Sequence, residues 1–94
     1  MNPQYILRLY VAGLGPDTQD MIINFKSALK DKFKNSYSLE VVDVIEKPEL
    51  AVDEKILATP TVVRLLPAPV KKFVLDLANK EHVLIGMDII KSYK

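Results

Sequence analysis

An α/β domain built on a strand–helix–strand unit is the fold class this sequence predicts, and three observations predict it. Residues Tyr5–Ala12 (YILRLYVA) are nearly all apolar and rich in branched and aromatic side chains, as a central strand buried on both faces requires. Met21, Ile22, Phe25, Ala28, Leu29 and Phe33 recur at the spacing of one helical face. Ser38–Ile45 (SLEVVDVI) is a second β-rich run. A strand, a helix and a strand in such close succession imply a right-handed crossover with the two strands parallel.

Each boundary has a local cause. Gly13–Pro16 (GLGP) breaks the first strand. Asp17 is suited to cap the helix, with Asp20 three residues on in the capping-box position. Lys30, Lys32 and Lys34 suit the negative end of the helix. Beyond the second strand, Lys47–Glu49 opens a short polar helix over residues 49–56.

Residues 55–76 (KILATPTVVRLLPAPVKKFVLD) obey two sets of rules at once. In one reading Thr61–Leu66 and Lys71–Leu77 are strands of a hairpin around Pro67–Pro69, because Lys72, Val74 and Asp76 alternate with Phe73, Leu75 and Leu77. Asn79 then caps a last helix running to Ile90, with Val83, Ile85 or Met87, and Ile90 available to the core. In the other reading residues 61–77 supply two short helices, and His82–Gly86 (HVLIG) is a terminal strand. Gly86 is poor inside a helix, and Val83 and Ile85 favour a strand. Local rules leave both readings open.

Ninety-four residues form one domain, 1–94, with 49% hydrophobic and 27% charged residues and a net charge of +1. Acids and bases are balanced between the halves, so no electrostatic footprint for nucleic acid or an anionic membrane exists. No apolar run approaches the roughly 18 residues of a membrane span. The opening Met1–Gln4 lacks the basic start of a signal peptide, and a cytoplasmic location is expected. The absence of cysteine excludes disulfides, thiolate metal sites and thiol redox cycling.

Candidate sites are few. Gly13 and Gly15 between strand and helix suggest a phosphate-binding turn, but the third glycine is missing and a tight turn explains them. His82 is the only histidine and has no cysteine company for a metal. Asp43 and Glu46 form an imaginable acid–base pair, although charged strand ends are ordinarily solvated. No nucleophile elbow or Walker lysine occurs. The expectation is no catalysis, no cofactor and no metal. Lys71 and Lys72 form a small cationic patch able to steer a partner.

The first reading has the order βαβαββα, the thioredoxin arrangement, with Pro60 where thioredoxins keep a cis proline before a strand. The position of the thioredoxin dithiol, Leu14 to Asp17, holds no cysteine, so such a fold would serve binding. YILRLYVAG (5–13), VDVIEK (42–47), KILATPT (55–61), the Pro-x-Pro within 66–70 and VLIGMD (83–88) together resemble the KaiB family, small partners of the KaiC ATPase in bacterial circadian clocks. The resemblance implies a metamorphic, thioredoxin-like α/β protein with two folds. One is a resting βαββααβ form in a homotetramer, and the other a rare βαβαββα thioredoxin-like monomer that binds KaiC. The KaiB-like sensor domain of the clock histidine kinase is similar to the second form.

The resemblance also assigns roles. Arg8, Lys71 and Lys72 match basic positions used towards KaiC. By the same resemblance Pro60, Pro67, Pro69, Gly86 and Asp88 fall in the segments that change fold, with proline isomerisation as the implied delay. Tyr5 falls at a subunit contact. Departures qualify the partners. Glu40 stands where clock members carry a lysine that contacts KaiA, Asp20 replaces a basic residue of the first helix, Lys91 replaces a tyrosine, and the acidic tail is missing. KaiC is therefore the implied partner, KaiA is left without its basic contacts, and a role in stress response or signalling outside a true clock is the alternative.

Overall fold

The computed structural model describes residues 3–75. They follow the first of the two readings. Strand β1 (Tyr5–Val11) leads into helix α1 (Pro16–Phe33), β2 (Tyr37–Asp43), α2 (Pro48–Asp53), β3 (Thr61–Leu66) and β4 (Lys71–Val74). Sheet order is β2-β1-β3-β4. β1 runs parallel to β2 and antiparallel to β3, and β3 pairs antiparallel with β4. The expected βαβ unit and central first strand are both present. The expected last helix, with Gly86 and Asp88, and Lys91 just beyond it lie outside the described residues.

The two faces of β1 explain why its sequence scarcely alternates. Leu7, Leu9 and Val11 pack under Met21, Ile22, Phe25, Leu29 and Phe33 of α1. On the other face Tyr10 meets Val42 and Val63, bordered by Val44, Leu50, Ile56 and Leu65. Burial of each such aliphatic side chain is worth about 1.5–3 kcal/mol. β3 shares the sandwiched position, with Val62 and Val63 both fully buried. The helical alternative for 61–77 gives way to a hairpin here because β3 gains a ladder on each side. The peptide bonds before Pro60, Pro67 and Pro69 are cis.

Several boundaries differ from expectation. Asp17 does not cap α1: Gly15 is the N-cap, Pro16 occupies the first turn, and no side chain caps the helix. Proline's fixed φ and missing N–H suit that first turn, which moves the start ahead of Asp17. Gln19 instead donates from Nε2 to the Leu14 carbonyl at 2.7 Å. β2 stops at Asp43 rather than Ile45, because the Asp43 carboxylate accepts from the Ile45 N–H at 3.0 Å and turns the chain. α2 closes at Asp53, three residues short of expectation. β4 ends at Val74, after which the Leu75 N–H donates to the Pro60 carbonyl at 2.8 Å.

Candidate partner-binding surface

Register places four of the relevant side chains in one row. Glu40 pairs with Arg8, Arg8 with Val63, and Val63 with Lys72, so β2, β1, β3 and β4 each contribute one residue to the same face. Arg8 Nε donates to Glu40 Oε1 at 2.9 Å, and Nη1 donates to the Tyr10 hydroxyl at 3.4 Å. The Tyr10 hydrogen bond foremost, and Glu40 after it, hold the Arg8 guanidinium above its ordinary pKa against the opposing effect of partial burial. Arg8 is a permanent cation. Its partner Glu40 is 60% exposed, so the pair itself contributes about 0.2–1 kcal/mol. Two residues with separate roles in the sequence are thus brought together.

Lys71 and Lys72 are drawn apart. Neighbours on a strand project to opposite faces, so Lys72 shares the Arg8 face while Lys71 stands opposite Arg64 on the α1 side. Strand spacing of about 4.8 Å separates Arg8 from Lys72 by roughly 10 Å across Val63. Arg64 is 2% exposed and donates from Nη2 to the Pro69 carbonyl at 3.1 Å. Tyr5, expected at a subunit contact, is half-buried and stacks on Phe33 with ring centroids 4.1 Å apart.

Next to Lys72 lies a feature that sequence reasoning missed. Leu57 is 97% exposed and Val74 is 60% exposed. With Lys55, Ile56, Thr61 and Lys72 they line a shallow, mainly apolar cleft of about 170 Å³. A wider groove of about 620 Å³ follows the outer edge of β2, walled by Ile22, Ile23, Glu40, Lys47 and Leu50.

The expected tight turn is present, with Gly13 at φ +88° and Gly15 at φ −68°. The Gly13 N–H donates to Asp43 Oδ1 at 2.8 Å, the same oxygen that receives the Ile45 N–H. Asp43 therefore ties the β1–α1 turn to the end of β2, which accounts for it without acid–base chemistry. Between Ala12, Thr18, Met21 and Pro60 is a cleft of about 120 Å³, beside the turn that would carry a dithiol in a thioredoxin. Among the described residues, threonine hydroxyls are the only side-chain nucleophiles lining it.

The KaiB domain pattern matches residues 8–89. The chain belongs to the KaiB family. Among KaiB relatives, the circadian clock oscillator protein KaiB of Rippkaea orientalis is 48% identical over 86 residues, covering 92% of this chain and 83% of that one. KaiB of Prochlorococcus marinus subsp. pastoris is 46% identical over 86 residues, covering 92% and 80%. In fold, the chain is similar to the N-terminal domain of Synechococcus elongatus SasA, with TM-score 0.75, 17% identity, and coverage of 100% of this chain and 92% of that one. It is also similar to mitochondrial thioredoxin 3 of Saccharomyces cerevisiae, with TM-score 0.70, 18% identity, and coverage of 94% and 80%. This KaiB-family chain thus has a thioredoxin-like fold. KaiB is a family of clock regulators, and membership supports a role in circadian timing.

Proposed function

We propose that the protein is a non-enzymatic regulator that docks on a KaiC-type ATPase, and that it does so in the thioredoxin-like arrangement. The observation that carries this reading is the patch at the β4 edge, where exposed Leu57 and Val74 stand beside Lys55 and Lys72. An apolar centre rimmed by cations is what a docking surface needs: desolvation supplies affinity and the charges steer approach. A thioredoxin-like chain without cysteine has binding to offer in place of thiol chemistry.

The resting partner of this form is a βαββααβ homotetramer in the cytoplasm, with residues 61–75 re-paired. If the binding form is about 1% of molecules, apparent affinity falls about a hundredfold, so binding is slow and weak until that form accumulates. Gly86→Ala with Asp88→Arg removes penalties that apply to a helix and less to a strand, shifting the balance by roughly 2 kcal/mol towards the monomer. A second reading is favoured by the Arg8–Glu40 pair. It places a neutralised acid on the β2 edge, where clock members keep a lysine for KaiA, and so suits a KaiB working without KaiA, in stress response or signalling.

The test is interferometry against a purified KaiC-type ATPase from the same genome. Slow association is expected, weakened about tenfold or more by Leu57→Asp and several-fold by Lys72→Glu. Lys71→Glu, on the opposite face, has a smaller effect. Absence of binding at high micromolar concentrations, or indifference to Leu57→Asp, refutes docking by this patch. Diffusion-like association refutes the refolding step alone.

A further inference from the structure

We propose that Met21 is a modification site: hydrogen peroxide, entering the cleft between α1 and the Thr59–Pro60 segment, converts its thioether to the sulfoxide. Two observations meet at this residue. Met21 is 8% exposed and belongs to the core cluster with Leu7, Leu9, Val11, Phe25 and Leu75. It also lines the cleft of about 120 Å³, together with Val11, Ala12, Thr18, Thr59 and Pro60. A sulfur-bearing core side chain thus borders space that solvent can enter. The cleft shares no lining residue with the patch at the β4 edge, so the site stands whether or not that patch docks an ATPase.

Chemistry and size select the reagent. The chain has no cysteine, so thioether sulfur is its softest nucleophile. A thioether takes no part in the acyl chemistry open to the threonine hydroxyls beside it, but it accepts oxygen from a peroxide. A water molecule needs roughly 10–15 Å³ of cavity, so the cleft admits a molecule the size of two waters. The half-buried Thr18 and the exposed Thr59 place hydroxyls on the cleft wall, where they can hydrogen-bond the peroxide oxygens. A sulfur lone pair attacks one peroxide oxygen, and the S–O bond forms as the O–O bond breaks. The departing hydroxide takes the proton left on the transferred oxygen. Sulfur loses two electrons and the peroxide gains them, leaving methionine sulfoxide and one water.

The neighbours of Met21 set the consequence. The sulfoxide oxygen is a strong acceptor, and Leu7, Leu9, Val11, Phe25 and Leu75 offer it no side-chain donor. It must turn into the cleft, which prises α1 from the Thr59–Pro60 segment. That segment seats the hairpin, since the Leu75 N–H donates to the Pro60 carbonyl at 2.8 Å and Thr61 opens β3. Oxidation therefore loosens the part of the chain whose pattern fits two arrangements.

The experiment treats the full chain with hydrogen peroxide, native and unfolded in urea, and follows oxygen addition at Met21 by peptide mass spectrometry. The native rate is expected within about thirtyfold of the unfolded rate, whereas access through global unfolding alone would slow it roughly a thousandfold or more. Ala12→Leu, at an exposed position, should fill the cleft and slow native oxidation about fivefold or more, with the unfolded rate unchanged. Oxidation should lower Tm by roughly 5–10 °C. Met21→Leu conserves volume and should keep its Tm under the same treatment, which excludes the other methionines as the cause. A native rate more than about thirtyfold below the unfolded one overturns the proposal. So does an Ala12→Leu variant oxidised as fast as the parent, an oxidised chain of unaltered Tm, or a Met21→Leu variant that loses as much Tm as the parent.

Discussion

Replacing Asp43 separates its structural role from the acid–base role its sequence position suggests. One oxygen, Oδ1, accepts from Gly13 N–H at 2.8 Å and from Ile45 N–H at 3.0 Å. A hydrogen bond to an ionised acceptor contributes about 1.5–3 kcal/mol. The bond to Ile45 is exposed and water replaces most of it, so about 0.5 kcal/mol is assigned there. The bond to Gly13 is partly buried, and its loss leaves a donor short of a partner beside the positive-φ turn. Asp43→Ala should therefore cost about 2–3 kcal/mol, roughly 10–20 °C in Tm for a domain of this size. Asp43→Asn keeps an acceptor at Oδ1 and loses only its charge, so it should cost about 1 kcal/mol.

Urea unfolding followed by circular dichroism reads both values, at matched protein concentration because any assembly adds to apparent stability. An Asn variant as unstable as the Ala variant would mean that charge, and not acceptor geometry, holds the turn. An Ala variant within about 0.5 kcal/mol of the parent would remove the turn-tying role altogether.

Gly13 and Gly15 should respond in opposite directions although a Cβ added at either would meet open space. Gly13→Ala forces an L residue to φ +88° and should cost about 1–2 kcal/mol, whereas Gly15→Ser supplies the missing N-cap side chain and should gain a few tenths, both by urea titration. Arg8→Glu and Glu40→Lys should each cost about 0.5–1 kcal/mol, the double swap should recover most of it, and about 1 M salt should erase the coupling. A coupling of zero at low salt would show the pair to be passive. Leu57→Asp should change thermal stability by less than about 0.5 kcal/mol, since the side chain is 97% exposed, so loss of partner binding in that variant cannot be blamed on unfolding.

The first half of the fold was legible because each signal there is local. Tyr5–Val11 reads as a strand covered on both faces, and α1 shows its core stripe over five turns with every expected large apolar residue buried. Cap chemistry was misread, since Asp17 is a good cap in general but Pro16 had already fixed the first turn. Arg8 and Glu40 could not be joined from sequence. They are 32 residues apart, and only the parallel register brings them opposite one another. Splitting Lys71 from Lys72 needed only the alternation of a strand, once the strand itself was granted.

The segment after Lys55 resisted for a physical reason. β3 is buried on both faces, so Val62 and Val63 are equally apolar and the run has no period to separate strand from helix. Its identity as a strand comes from β1 on one side and β4 on the other, which are tertiary facts. β4 itself has the weakest local support, with Phe73 and Leu75 turned inward while Lys72 and Val74 remain exposed. A strand held by neighbours rather than by its own pattern is also one that a different set of neighbours could claim. That is the property a two-fold sequence needs, and it lies in the residues that separate the exposed Leu57 from the Lys72 edge. Docking at that edge would stabilise the β3–β4 ladder directly, so the partner would favour one fold through contacts that exist only in it.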